Sequence, residues 1–384
     1  MSLKIQFVER AANGEEISAL CREFGISRTS GHKWINRFKA RGYEGLEEES
    51  RRPKSAPLAT AEDLVLAVLE ARDAHPRWGP RKLEVLLRRR FGDKTPSGRT
   101  IARILKRAKK VRERRRHRAP NVVDKAPQVV AQHPNDVWTV DFKGWWKSRD
   151  GERCEPLTVR DAFSRFVLDI VVCRPTHDNV RAVFERLFRK HGVPNAIKCD
   201  NGVPFVSVRA RGGLSRLSAW WLSLGIRLVR SRPGCPQDNG AHERMHADVS
   251  GHVQDSPAAT VEAEQRRLSR WRQEFNHVRP HDALGGKVPA DVYKVPERRK
   301  PAPVPYAYPP RLRTCRVSAK GAIFYRHDEV YVGEVFGGHE VGIEVIDTMR
   351  VRIWYRDVDL GAFETLPDVD AACFDARPTR RRSA

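Results

Sequence analysis

Apolar residues recur at helical spacing in the first part of the chain. In the run EEISALCREFG they occupy one helical face, at Ile17, Leu20, Cys21 and Phe24. Gly25 is expected to end this helix, and Ser27 is expected to cap a second helix over the run RTSGHKWINRFKARG. Two short helices joined by a glycine turn are typical of a helix-turn-helix.

The same pattern returns between Thr60 and Lys110. It covers three runs, AEDLVLAVLEARDA, HPRWGPRKLEVLLRRRFG and PSGRTIARILKRAKKV. Ser97 is expected to cap the last helix, whose apolar stripe consists of Ile101, Ile104 and Leu105. The pattern therefore predicts a second helix-turn-helix block.

The periodicity changes from helices to strands at Asp136. The run VWTVDFKG alternates between two faces, with Trp138, Val140 and Phe142 on one and Thr139, Asp141 and Lys143 on the other. The apolar run FVLDIVVC is typical of a strand buried on both faces. Across this segment we predict three strands, a helix, a strand, a helix, a strand and a helix, an order that fits a ribonuclease-H-like α/β core.

Short runs rich in β-branched and aromatic residues fill the C-terminal part, between Arg313 and Glu364. Glycine and charged turns separate them at regular spacing. This pattern predicts a small five-stranded β-barrel.

Proline-rich and charged runs mark the joints between these parts. RRPKSAP, HRAPNVVDKAPQ and VPERRKPAPVPYAYPP are expected to be linkers, because proline lacks the amide donor that helices and central strands need. The predicted organisation is multidomain. It comprises all-α helix-turn-helix modules at 1–50 and 57–118, the α/β core with a helical extension at 134–294, the small β-barrel at 311–366 and a disordered basic tail at 367–384.

Charge narrows the choice of partner. The chain has 72 Lys and Arg against 48 Asp and Glu, a formal net charge of +24. Between Arg72 and Arg118 there are 19 Lys and Arg and four acidic residues. Such a surplus favours a polyanionic partner, and no apolar run reaches the roughly 18 residues of a membrane span. Nucleic acid is therefore the expected partner, with no membrane attachment.

Cysteine usage and the N-terminus bear on location. The seven cysteines form no CxxC pair, which favours reduced thiols. The N-terminal run MSLKIQFVERAANGEE lacks the apolar stretch of a signal peptide. A cytoplasmic, nucleoid-associated location is expected.

The last helix of each helix-turn-helix block carries basic and hydroxyl side chains on its early turns. In such motifs this part of the helix reads base edges in the major groove of DNA. The expected DNA-binding residues are Arg28, Thr29, Ser30, Lys33 and Arg37 in the first block, and Arg99, Thr100, Arg103 and Lys106 in the second. The alternative for each block is a helical domain with an ordinary solvated charged face.

Three runs of the central segment resemble the acidic motifs of a known catalytic core. VWTVDFKG, IKCDNG and PGCPQDNGAHER are similar, in this order, to the motifs that retroviral integrases share with many bacterial insertion-sequence transposases. FNHVRPHDALGGKVPADVY and the two helical blocks resemble further segments of those transposases, so the resemblance covers most of the chain. It implies a DDE-type transposase whose catalytic and metal-binding triad is Asp141, Asp200 and Glu243.

The resemblance also implies a cofactor and partners. Two Mg²⁺ or Mn²⁺ ions are expected, because hard cations prefer carboxylate oxygens and offset charge in phosphoryl transfer. Water would free a 3′-hydroxyl at the end of the element, and that hydroxyl would then attack target DNA. The expected partner is double-stranded DNA, as terminal inverted repeats and as target, bound by a homo-oligomer. The barrel could contact DNA or a second subunit, or could be purely structural.

The spacing of the acidic residues differs from that of the family, and each of the three carboxylates also has an interpretation without a catalytic role. Glu243 lies 43 positions after Asp200, more than is common in that family, and the polar run SVRARGGLS could hold the extra residues. Asp141 could face solvent, Asp200 could form a turn, and Glu243 could complement a helix dipole. Asp161 and Asp169 are competing carboxylates, set aside because neither is expected to end a strand before a turn.

Two histidine pairs at helical spacing, His242/His246 and His277/His281, raise zinc binding as an alternative. A proline interrupts the second pair and no cysteine pair completes either set. Roles beside the metal site or in DNA contact are therefore expected for these histidines.

Two other functions compete with the transposase. A catalytically silent sequence-specific DNA-binding protein derived from a transposase would have a broken triad, and here all three acidic residues are present. A structure-specific nuclease on the same fold would not need two sequence-reading modules.

Overall fold

The computed structural model describes residues 3–48, 59–111, 129–207, 210–232, 236–254, 256–294, 299–326 and 328–365. The chain divides into two compact units, Met1–Ala61 and Glu62–Ala384. The predicted linkers at 51–57 and 117–128 and the basic tail at 367–384 lie outside the described residues, as does the segment 295–298 of the third linker.

Helices form the first unit. They are α1 (Leu3–Ala12), α2 (Ile17–Glu23) and α3 (Arg28–Arg41), followed by a 3-10 turn at Gly42–Leu46. Ser27 caps α3 by accepting a hydrogen bond from the Ser30 amide, as predicted. The sequence pattern does not predict α1, whose Phe7 ring packs edge-on against Phe24 and Trp34. The predicted helix pair therefore has a third helix as its core partner.

The second helical block belongs to the other unit. It consists of α4 (Glu62–Ala74), α5 (Pro80–Phe91) and α6 (Gly98–Arg107). Ser97 caps α6, and the predicted apolar stripe of α6 is buried, with Ile101 and Leu105 fully inaccessible. Val278 packs against the same hydrophobic cluster, so this block has a contact with the helical segment that follows the core.

A mixed sheet forms the centre of the second unit. The strands of this segment are β1 (Val137–Phe142), β2 (Trp146–Lys147), β3 (Arg153–Cys154), β4 (Pro156–Asp161), β5 (Val167–Val172), β6 (Ala196–Cys199) and β7 (Arg227–Arg230). Among the described residues the sheet has the order β5-β4-β1-β6-β7, with β1, β4 and β5 antiparallel and β1, β6 and β7 parallel. Strands β2 and β3 pair as a separate hairpin that the sequence pattern does not predict.

Helices cover this sheet in the predicted order. They are α7 (His177–His191), α8 (Arg216–Ser223), α9 (Gly240–Val249), α10 (Val261–His277) and α11 (Pro289–Val292), and a π-helical turn at Ser250–Gln254 extends α9. Helix α10 is anchored on β5 by the Asn276 amide, which accepts from the Val167 N–H and donates to the Val167 carbonyl, both at 2.9 Å. None of the described helices combines the length and the apolar character needed to cross a membrane.

The C-terminal strands form sheets. They are β8 (Arg313–Arg316), β9 (Ala322–Tyr325), β10 (Asp328–Tyr331), β11 (Glu340–Val345), β12 (Arg350–Tyr355) and β13 (Val358–Glu364). In the described part of the chain they give a four-stranded sheet, β13-β12-β11-β8, and a pair, β10-β9, without closing into the predicted barrel. The first predicted strand is divided at Gly321, whose φ is +85° and where a Cβ would lie 2.4 Å from the Glu334 amide nitrogen.

The C-terminal sheet packs on the core through α8. The Tyr355 hydroxyl donates to the Ala219 carbonyl at 3.2 Å, and both residues belong to one hydrophobic cluster. The described part of the polar run that we expected to hold extra residues, from 210 onward, also contacts this sheet: the Arg211 guanidinium lies 4.1 Å from the centre of the Phe363 ring. The sheet therefore has a structural contact with the core.

Candidate active site

Asp141 and Asp200 lie at the ends of two neighbouring parallel strands. Asp141 is in the last part of β1, and Asp200 follows directly on β6. The last registered pair of these strands is Thr139 with Lys198, and each aspartate lies two residues further on. Neighbouring strands are about 4.8 Å apart, and residues two apart in a strand share a face. The register thus brings Asp141 and Asp200 to the same edge of the sheet.

Glu243 comes to the same region from the first turn of α9. Arg160 on β4 donates from Nη1 to the Ala241 carbonyl at 2.9 Å. Asn239, which precedes α9, donates from Nδ2 to Asp141 Oδ2 at 3.2 Å. These two bonds hold the start of α9 against β1 and β4.

The Asp141 carboxyl has an unusual proton affinity. Burial is the main cause that raises its pKa from 3.8 to about 7, and the charges of Asp200 and Glu243 raise it further. Hydrogen bonds from the Phe142 amide and from Asn239 act in the opposite direction. The charges of Asp200 and Glu243 therefore act on Asp141, and a cation bound at Asp141 would relieve this repulsion.

The donor set fits a divalent cation. All donors of the triad are carboxylate oxygens, the ligand type that Mg²⁺ and Mn²⁺ prefer. In the described part of the chain, no three His, Cys, Asp or Glu side chains are placed to hold an ion together. Magnesium commonly uses one or two carboxylates and completes its shell with water and substrate phosphate. The arrangement suits such an open site and does not form a closed protein cage.

A buried polar cluster beside Asp141 joins α9 to the sheet. Thr158 on β4 has its Oγ1 2.6 Å from His242 Nε2 and 2.8 Å from His246 Nε2. His242 Nδ1 lies 2.9 Å from Thr139 Oγ1 on β1. Because Glu243 lies between the two histidines along α9, this cluster fixes the helix that carries it.

Both imidazoles of the cluster favour the neutral form. Burial lowers the pKa of His246 to about 3, and Lys143 and Arg160 add to this effect. Burial likewise lowers the pKa of His242 well below its ordinary value. His246 Nδ1 lies 3.9 Å from Asp141 Oδ2, and in the described part of the chain no third His, Cys, Asp or Glu completes a metal-binding set with the two histidines.

The competing carboxylates have structural partners. Asp161 ends β4 before a turn, so the expectation that it does not end a strand is wrong. This buried carboxylate accepts from the Ser164 amide at 2.7 Å, the Ser164 hydroxyl at 2.6 Å and the Asn135 amide at 2.8 Å. Asp169 pairs at 2.6 Å with two arginines, Arg186 and Arg272. These contacts give the carboxylates of Asp161 and Asp169 a structural role.

The residues predicted to bind DNA lie on α3 and α6. The exposed ones are Arg28, Thr29, Lys33, Arg99, Arg103 and Lys106, and the partly exposed ones are Ser30, Arg37 and Thr100. The hydroxyls of Ser30 and Thr100 lie 3.0 and 3.1 Å from those of the cap residues Ser27 and Ser97. Both hydroxyls therefore contact the side chains that cap the helices.

The sequence pattern does not single out several side chains that build the site. Arg160 and Thr158 lie inside β4, and Lys198 on β6 donates from Nζ to the Asp238 carbonyl at 2.6 Å. A charged residue in an otherwise apolar strand is a usable signal, because a buried charge needs a partner. Asn239 gives no such signal, since polar residues are ordinary at the start of a helix.

Family models match both parts of the chain. A helix-turn-helix domain matches residues 3–54, and a homeodomain-like domain matches residues 30–105. The integrase core domain matches residues 131–236 in one model and 224–289 in another. The two integrase models together include Asp141, Asp200 and Glu243.

Proteins of bacterial insertion elements are similar over most of the chain. The 39.2 kDa protein of insertion element IS476 from Xanthomonas euvesicatoria is 29% identical over 283 residues, which are 72% of this chain and 78% of that protein. The 31.7 kDa protein of insertion element IS407 from Burkholderia multivorans is 29% identical over 232 residues, 60% of this chain and 80% of that protein.

Among solved structures, the HTLV-2 integrase catalytic core domain in complex with magnesium is 17% identical. The match covers 43% of this chain and all of that one, with a TM-score of 0.34.

Proposed function

We propose that this chain is a DNA transposase of the insertion-sequence type. It belongs to the integrase and transposase family and carries helix-turn-helix domains. In this proposal it binds the terminal inverted repeats of its element, cleaves their 3′ ends and joins those ends to target DNA. It acts on DNA as a homo-oligomer. The proposal is supported by the positions of Asp141 at the end of β1, Asp200 directly after β6 and Glu243 in the first turn of α9, and by the charges of Asp200 and Glu243, which raise the pKa of Asp141.

The reaction consists of two displacements at phosphorus. In the first, the oxygen of water attacks and the bond to the 3′-oxygen of the element end breaks, which frees a 3′-hydroxyl. In the second, that hydroxyl attacks a phosphodiester of the target, and the displaced target oxygen leaves. The protein forms no covalent bond to DNA, so the scheme needs no nucleophilic side chain.

The three carboxylates would hold the cofactor. Asp141 would contribute a ligand to both divalent cations, Asp200 to one and Glu243 to the other. When bound, Mg²⁺ or Mn²⁺ supplies activation of the attacking oxygen and offsets charge on the leaving one. The chain's own contribution is to fix the carboxylates, which Asn239 does for Asp141 through their 3.2 Å hydrogen bond.

The helical blocks select the DNA. Exposed basic residues of α3 and α6 suit the phosphates and base edges of the inverted repeats. Recognition and chemistry are thereby assigned to different elements of the chain, and single substitutions should separate them. The C-terminal sheets would add contacts to DNA or to a second subunit.

An oligonucleotide joining assay tests the proposal. Asp141→Asn, Asp200→Asn and Glu243→Gln should each abolish joining while end binding stays within about twofold of the parent chain. Asp178→Asn is the matched control, because Asp178 is an almost fully exposed carboxylate on α7. Joining that survives all three substitutions would refute the assignment. A parent chain that binds ends selectively but never joins them would instead identify the silent DNA-binding protein.

A further inference from the structure

An exposed tryptophan follows Asp141 closely along the chain. Trp145 is 53% exposed, whereas its neighbour Trp146 is buried in the hydrophobic cluster that contains Trp271 of α10. Trp145 lies four residues after Asp141, and a chain of that length spans at most about 14 Å. The backbone of Trp145 therefore stays within about 14 Å of the backbone that carries the Asp141 carboxylate.

The hairpin of β2 and β3 has a basic face. Lys147 is the register partner of Arg153, so both side chains lie on one face, which Trp145, two residues before Lys147, shares. Trp146 pairs with Cys154 on the other face, and both are buried. Like charges directly opposite each other on a sheet repel, and an anion bound beside them would offset this repulsion.

Arg153 joins this charge to the aromatic ring. Its guanidinium carbon lies over the Trp145 ring, 4.8 Å from the ring centre, which is a cation–π contact. Arg153 Nη2 also pairs with Glu155 at 2.9 Å, but the Glu155 side chain is 13% exposed and that of Arg153 is 55% exposed. The accessible charge beside the ring is therefore positive.

A second exposed apolar side chain comes from the neighbouring loop. Val203, which follows Asp200 by three residues, is 76% exposed. The ring centres of Phe142 and Phe205 lie 5.8 Å apart, and this contact holds the loop against the end of β1. Exposed apolar groups beside cations suit the flat faces of nucleobases and the phosphates of the same strand.

We propose that Trp145 is a stacking platform for an unpaired base of the DNA end, and that Lys147 and Arg153 contact phosphates of the same strand. Bases inside a duplex already stack on their neighbours, so the exposed ring suits an unpaired base. DNA rises about 3.4 Å per nucleotide, so the span of about 14 Å places this base within about four nucleotides of the reacting phosphate. This inference rests on the proposed function, because it uses the same DNA end.

Inverted-repeat duplexes whose last nucleotides are unpaired test the stacking. Fluorescence anisotropy measures their binding to the full chain without divalent cation, so that no cleavage occurs, with an abasic residue at each unpaired position in turn. At one position the abasic residue should weaken binding by the parent chain about tenfold. Trp145→Ala should bind the intact end about tenfold more weakly, and the same abasic residue should then have no further effect. Trp145→Phe should keep most of the affinity.

Two controls separate stacking from a general loss of structure. Phe163→Ala removes an exposed aromatic ring in the turn after β4, at the opposite edge of the sheet, and should leave binding unchanged. A fully paired blunt duplex should bind equally to the parent chain and to Trp145→Ala. A tenfold loss on the blunt duplex as well would show that Trp145 has a structural role and would overturn the inference.

The salt dependence of binding tests the phosphate contacts. Lys147→Ala should lower the slope of log affinity against log salt by about 0.7 for the unpaired end, the value for one contact to a single strand. Lys294→Ala, at an exposed lysine after α11, is the matched control and should keep the parent slope. Equal slopes in the parent chain and Lys147→Ala would remove Lys147 from the site.

The outcomes separate this inference from the function beneath it. If the parent chain binds the repeat selectively, but an abasic residue has no effect at any unpaired position, the stacking site is wrong and the proposed function stands. Losses from Trp145→Ala and from the abasic residue that simply add also overturn the inference. If the parent chain binds no repeat selectively, the proposed function is wrong and the stacking site falls with it.

Discussion

His75 Nδ1 lies 2.9 Å from Glu274 Oε1, and this contact joins the second helical block to α10. The His75 ring also stacks on Trp78, with 3.9 Å between ring centres. Both side chains of the pair are mostly buried, at 17% and 35% exposure. The block assigned to DNA recognition is therefore connected to the helix that packs on the central sheet.

Replacing His75 by Phe should weaken the contact between the second helical block and α10. His75→Phe keeps an aromatic ring on Trp78 but removes the hydrogen bond, so the free energy of unfolding should fall by about 1 kcal/mol. Urea denaturation measures the change. Arg270→Ala, at an exposed position of α10, is the control and should leave the midpoint unchanged. An unchanged midpoint in His75→Phe would show that the hydrogen bond does not contribute to stability.

Arg99 and Arg103 on α6 should contribute to end recognition. Alanine at either position should weaken binding to the inverted repeat, by about 1–3 kcal/mol for a base contact. A phosphate contact would instead lower the slope of log affinity against log salt by about 1. Fluorescence anisotropy with the repeat and a scrambled duplex distinguishes the two. Full affinity and selectivity in the double variant would contradict the role given to α6.

The proton affinity of Asp141 predicts a pH-dependent stability. The pKa of Asp141 is about 7 in the folded chain and 3.8 in its ordinary state, which stands for the unfolded chain. Between these two pH values the folded chain keeps a proton on Asp141 that the unfolded chain has released. The stability from this group is therefore full below about pH 4 and is lost as the pH rises through 7. Asp141→Asn removes the buried charge and should unfold at higher temperature than the parent chain at pH 8 without metal.

At pH 8 the substitution should raise the free energy of unfolding by about 1 kcal/mol and the unfolding temperature by about 2 °C. Both differences should vanish near pH 4. Added Mg²⁺ should raise the unfolding temperature of the parent chain but not that of Asp141→Asn. Differential scanning calorimetry at both pH values makes the comparison. A variant less stable than the parent chain at pH 8 without metal would contradict the effect of burial and of neighbouring charges inferred at Asp141.

Asp161 should affect stability and not chemistry. Asp161→Asn places an amide where the carboxylate accepts from Ser164 and Asn135, and at least one buried donor then loses its acceptor. The cost should be about 1–3 kcal/mol. Joining activity per folded molecule should stay unchanged. Loss of joining in a variant with full stability would make Asp161 part of the reaction.

Local signals in the sequence predict much of this fold. The caps at Ser27 and Ser97 follow from residue type and position, since each serine precedes a helix and accepts from an amide three residues later. The alternation in β1 is equally local, and it correctly separates Trp138 and Val140 in the core from Asp141. Such features need only neighbouring residues.

Contacts between residues far apart in the sequence are harder to predict from it. The contact of Thr158 with His242 and His246 links positions more than 80 residues apart and depends on the docking of α9 across β4. Helix α1 is short, and its Phe7 has a reason to be buried only once α2 and α3 are in place. The C-terminal strands are visible in the sequence, but alternation fixes their faces and not whether the sheet closes.

The chemistry of the DNA end tests the central claim most directly. A labelled inverted-repeat duplex, already cut to expose its 3′ end, is incubated with the parent chain, Mg²⁺ and target DNA, beside the same duplex with a 3′-deoxy end. The account predicts joined product from the 3′-hydroxyl end only, none from Asp141→Asn, and no label on protein in a denaturing gel. Joining from the 3′-deoxy end, or label covalently attached to the protein, would contradict it.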